Sequence, residues 1–122
     1  MNTSLVSNII LIIALTLLSG FGDSQGFVHA SRGWVNGLPV WKELVKSVLW
    51  FGLGIVIFLG AIRFMREVGI VLPEIQTTVW FLAVIIGVAI LAGHFFQWER
   101  QEQVVALVVV AGIGWLIFRT ST

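Results

Sequence analysis

Four stretches of this chain carry almost nothing but apolar side chains: Leu5–Leu18, Ser47–Ile62, Ile75–Phe96 and Val104–Phe118. Within each run the apolar residues are continuous rather than alternating. That pattern predicts helices apolar all round and excludes a β-barrel, whose strands alternate between lipid and lumen. A helix spanning a bilayer needs about 20 residues. The third run meets that length outright, because nothing charged occurs between Glu74 and Glu99. The second and fourth runs are shorter, but Lys46, Arg63 and Arg119 at their ends can carry their charged heads to the interface and add reach. Trp50, Trp80, Trp98 and Trp115 fall near run ends, where amphipathic rings prefer to sit. The predicted fold is an all-α membrane protein with three to four transmembrane helices, the last two forming an antiparallel hairpin.

The first run leaves two alternatives open. It has the length of the apolar part of a signal peptide, and Val28-His29-Ala30 before Ser31 offers a small-residue cleavage pattern. It reads equally as a retained first helix, since "MNTSLVSN" contains no Lys or Arg and Ser19–Ala30 is long for a cleavage region. Residues 1–30 are therefore set apart as an N-terminal hydrophobic segment, and residues 31–122 as a helical membrane domain. The stretch "GFGDSQGFVHASRGWVNGLPV" reads as a turn-rich linker, with Asn36-Gly37 as a turn and Pro39 in the first turn of the next helix. Trp41, Leu44, Val45 and Val48 then follow helical spacing opposite Lys42, Glu43 and Lys46, predicting a short amphipathic lead-in at the interface.

Composition agrees with lipid as the solvent. The 122 residues are 58% hydrophobic and 11% charged, whereas soluble domains carry about 25% charged residues. A net charge of +1 gives no basic field for nucleic acid and no polybasic membrane-surface patch. The absence of cysteine removes disulfides and thiolate metal sites from consideration. Counting Lys and Arg per loop gives four inside against three outside if the N-terminus is outside, and three against four if it is inside or the first run is cleaved, so the positive-inside rule does not decide.

No Asp, Glu, Lys or Arg lies centrally in the four runs. Small four-helix drug/proton exchangers of about this length depend on an embedded carboxylate, and the expectation is accordingly against ion-coupled transport. No nucleophile–base set, HExxH or phosphate loop is present, so no catalytic or metal-binding residue is assigned and no enzyme activity is expected. His94 is the one ionisable group inside the third run. It is a weak candidate ligand to a haem or chlorophyll in "ILAGHFFQW", faintly like light-harvesting helices, set against an ordinary helix-end histidine; no cofactor is assigned. Glu99, Arg100 and Glu102 in "QWERQEQ" read as a solvated hairpin loop. In the third run Ala83-x-x-x-Gly87 and Ala89-x-x-x-Gly93 offer small-residue faces for close helix packing.

The signal-like N-terminus, Gly/Ser linker, amphipathic lead-in and closely connected apolar helices resemble the TrbC-type pilins of type IV secretion and conjugation systems. "FLGAIRFMREVG" (Phe58–Gly69), with Gly60, Arg63, Phe64 and Met65, resembles the end of the first mature helix in some of those pilins. The likeness covers roughly Gly37 to Gly93. It implies a subunit extracted from a prokaryotic inner membrane and stacked with lipid into a filament or pore. The expected partners are membrane lipid and either further copies of the chain or a larger membrane complex, with no nucleic acid. A phage holin-like pore former and an accessory subunit of a respiratory or photosynthetic complex are the alternatives.

Overall fold

The computed structural model describes residues 3–120. Its elements in chain order are α1 (Thr3–Ser31), β1 (Trp34–Val35), β2 (Leu38–Pro39), α2 (Trp41–Glu67), α3 (Pro73–Ala92), a 3₁₀ turn (His94–Gln97) and α4 (Arg100–Thr120). Among the described residues, four helices are long and apolar enough to cross a membrane. The first, second and fourth apolar runs each lie within one of them, while the third leaves α3 at Ala92 and ends in the 3₁₀ turn.

The predicted linker is the main correction. Residues 20–31 continue α1 without a break, although Gly, Ser and Asp disfavour helix in water. Their small side chains instead let α1 approach its neighbours closely, which is how helices pack where no hydrophobic gain is available. Only the end of the stretch turns. Asn36 (φ 53°) and Gly37 (φ 76°) supply the two positive φ values of a type I′ turn, and β1 pairs antiparallel with β2 across it. Pro39 is paired with Trp34 in β2 and does not begin a helix. The helix starts at Trp41, after Val40 in extended conformation. The lead-in is likewise not a separate element, being the first two turns of α2.

Other ends follow local chemistry. At the end of α2, Gly69 (φ 92°) lets the Ile70 and Gly69 N–H groups reach the carbonyls of Met65 and Arg66, at 2.8 and 3.1 Å. This is the paired bonding of a Schellman cap. Pro73 opens α3, where its missing N–H costs nothing. Gly93 closes α3 in the left-handed region at φ 77°.

α1 is the hub. It runs antiparallel to α2, pairing Gly22 with Gly54 and Gly26 with Phe51. It runs parallel to α3, pairing Gly20 with Ala83 and Ser24 with Gly87. α2 and α3 touch each other little, and no residue in the apolar window of α4 is buried. A small apolar cluster of Ile12, Ala61 and Met65 closes one end of the α1–α2 interface, with Phe58, Phe64 and Val79 packed around it.

The distribution of side chains is inverted relative to a water-soluble bundle. Thr16, Ser19, Asp23, Ser24, Ser47 and Gln76 are buried, while Leu17, Leu18, Leu49, Val56, Leu59 and Val108 are exposed.

Candidate functional site

Thr16, Ser19, Gly20, Asp23, Ser24 and Gly26 fall at three- and four-residue spacings, which on a helix collects them into one stripe. All are buried, and all face α2 or α3. Asp23, the chain's one aspartate, is fully enclosed. Its Oδ2 accepts a short hydrogen bond from the Trp80 indole N–H of α3. Its Oδ1 lies against the backbone of Gly54 on α2, where a side chain of any size would collide with it.

Hydroxyls complete the seam by satisfying carbonyls. Ser19 Oγ donates to the Gly54 carbonyl at 2.7 Å, which ties α1 to α2. From the other side, Ser47 Oγ of α2 donates to the Gly26 carbonyl at 2.7 Å. Ser24 Oγ donates to the Gly20 carbonyl at 2.5 Å, one turn back, and fills the space beside Gly87. Two polar atoms remain without a hydrogen bond among the described residues: Asp23 Oδ1 and Thr16 Oγ1. Buried polar atoms are ordinarily paired, so these two mark the seam as more than a packing surface.

The seam lies at mid-length of the bundle. Residues 47–62 of α2 hold no charge, and Gly54 is at their centre. At the hairpin end of the seam, His29 Nδ1 and Glu43 Oε2 are 2.6 Å apart and link α1 to the first turn of α2. An apolar groove lined by Ile55, Phe58, Leu59, Thr77 and Trp80 opens between α2 and α3, so that the tryptophan which bonds Asp23 is also part of its wall.

The residues expected from sequence are distributed differently. Ala83 and Gly87 meet Gly20 and Ser24 of the same chain, so this half of the small-residue stripe is used within the chain. Ala89 is half-buried, and Gly93 caps α3 with open space around it. His94 is exposed on the 3₁₀ turn. Trp80, expected at an interface, turns inward because Asp23 accepts its N–H. Arg100 and Glu102 are not in a loop but in the first turn of α4. The cause is the Glu102 carboxylate, which accepts the Glu99 N–H at 3.2 Å in the manner of a capping box. The intervening segment is closed by Gln103, whose side-chain amide donates to the Phe95 carbonyl at 2.9 Å.

Asp23 lies beyond the first apolar run, which ends at Leu18, so the run pattern alone does not point to a buried carboxylate. The signal was available in Ser19-x-x-x-Asp23 and Gly22-x-x-x-Gly26, polar and small residues at helical spacing next to an apolar run. No protein-family model matches the chain, and neither a curated protein nor a solved structure does.

Proposed function

We propose that this chain is an integral membrane protein that works as a subunit of a homo-oligomer, with α1, α2 and α3 forming a bundle around the Asp23 seam. The observation that carries the reading is the inversion of side chains: large aliphatic residues face outward and small or polar residues face inward. In water such a surface would be a contiguous apolar patch far beyond what a soluble monomer exposes. In lipid it is the expected arrangement, because helices there associate through small residues and interhelical hydrogen bonds.

Association is assigned to α4. Its apolar window contributes no buried residue to the bundle, and its Gly112 and Gly114 have open space where a Cβ would go. A second copy can approach closely at such positions. A pilin-like subunit processed before Ser31 would shed Ser19, Asp23 and Ser24, and with them the ties from α1 to α2 and α3. The burial of those residues therefore supports a retained α1.

The test is carbonate extraction of native membranes followed by crosslinking. The expected result is a chain that stays with the membrane and forms discrete oligomers. A chain released by carbonate, or one that remains monomeric in its native membrane, would remove this reading.

A further inference from the structure

We propose that Asp23 is a proton-binding site at the middle of the bundle, taking up a proton on Oδ1 and releasing it again. The inference rests on the membrane reading above and adds a ligand to it.

The two carboxyl oxygens have unequal surroundings. Oδ2 accepts the Trp80 N–H, whereas Oδ1 has no donor among the described residues. Ser19 stands one turn back on the same face of α1, with its hydroxyl proton committed to the Gly54 carbonyl and its lone pairs able to accept. A proton on Oδ1 converts that oxygen from orphan acceptor to donor. A protonated Oδ1 can donate where an ionised one stands unpaired, with Oδ2 held by Trp80 in either state. The step takes up one proton from the aqueous phase, hydronium becoming water, and release returns it.

Nothing nearby can serve instead of the proton. Residues 47–62 of α2 and 75–92 of α3 contain no Asp, Glu, Lys, Arg or His. Lys46 on α2 is eight residues from Gly54, and Glu74 on α3 is six residues from Trp80, about 12 and 9 Å along their helices. On α1 the other titratable group is His29, six residues on, and it is engaged by Glu43. An intramembrane carboxyl without a counter-cation, hydrogen-bonded on one oxygen only, has the features of a proton-exchanging group.

The experiment is modification of the full-length protein in lipid vesicles by N,N′-dicyclohexylcarbodiimide. A protonated carboxyl adds across this apolar reagent and rearranges to a stable N-acylurea. Peptide mass spectrometry should place the adduct on Asp23. Labelling should fall as the pH is raised, Ser19→Ala should move the midpoint of that profile, and Asp23→Asn should abolish the adduct. Infrared difference spectroscopy of the unmodified protein against Asp23→Asn gives a second readout that needs no reagent and sets the five glutamates aside. A neutral carboxylic-acid carbonyl band missing from the variant should be present and should disappear with rising pH. A band shared equally by both proteins, or one that never titrates, would overturn the proposal, as would an adduct confined to the glutamates. If the chain still resists carbonate extraction, such a failure strikes the proton site alone. If carbonate releases it, the membrane reading has fallen first.

Discussion

The Trp80 indole N–H donates to the Asp23 carboxyl across the α1–α3 interface, joining residues 57 positions apart in the chain. The pair fixes both the rotation of α1 and the inward turn of the tryptophan. Trp80→Phe keeps most of the ring and removes the donor. An unsatisfied buried polar group costs about 1–3 kcal/mol, and the variant is expected to lose stability of that order in detergent unfolding. Removing both groups in Trp80→Phe with Asp23→Leu should cost less than the sum of the two single changes. Additive losses would mean that the pair is not coupled.

Gly54 is the narrowest point of the α1–α2 contact, since an added Cβ falls on Asp23. Gly54→Ala is expected to cost about 1–3 kcal/mol, the usual penalty for overpacking. Gly52, on the same helix, has nothing within 4 Å of its Cβ position. Gly52→Ala should therefore be neutral or gain a few tenths of a kcal/mol from helix propensity. Thermal unfolding of the two variants side by side tests the contrast.

The glycines of α3 and α4 should separate folding from association. Gly87→Leu would collide with Ser24 and is expected to reduce the stability of the chain itself. At Gly112 an added Cβ has no neighbour within 4 Å among the described residues, and Gly112→Leu is expected to leave unfolding unchanged while lowering the yield of crosslinked oligomers. Oligomers unaffected by Gly112→Leu would move the contact surface off that face of α4.

Gly93 ends α3 at φ 77°, a conformation that costs an L-residue about 1–2 kcal/mol. Gly93→Ala should lose stability of about that size although its surroundings are open. Gly93→Asn should lose less, because Asn tolerates the left-handed region. Equal losses would point to packing rather than backbone conformation.

Because α1 holds the polar seam, mature protein isolated from membranes is expected to retain residues 3–31. Intact-mass measurement decides this, and a product starting at Ser31 would contradict it.

Legibility in the sequence depended on which physical rule governed each segment. Continuous apolar runs located α2, α3 and α4, because length and hydropathy alone decide whether a helix can span lipid. Asn36-Gly37 was readable as a turn, because few other dipeptides accept two positive φ values. The second half of α1 was not. Gly22, Asp23, Ser24 and Gly26 look like a linker when judged by propensities measured in water, yet the same residues make close helix contacts in the fold. The site vanished with that misreading, since Asp23 sits in the part taken for linker. Trp80 was misplaced for a related reason: its proximity to a run end said nothing of the acceptor waiting on another helix.

The parallel course of α1 and α3 sorts the connections of the chain by end of the bundle. The Asn36–Gly37 turn and the His94–Trp98 joint lie at one end, and the Val68–Leu72 joint at the other. Arg32, Lys42, Lys46 and Arg100 are thereby grouped together, apart from Arg63 and Arg66. A single accessibility reporter placed in the hairpin would locate every one of these groups at once.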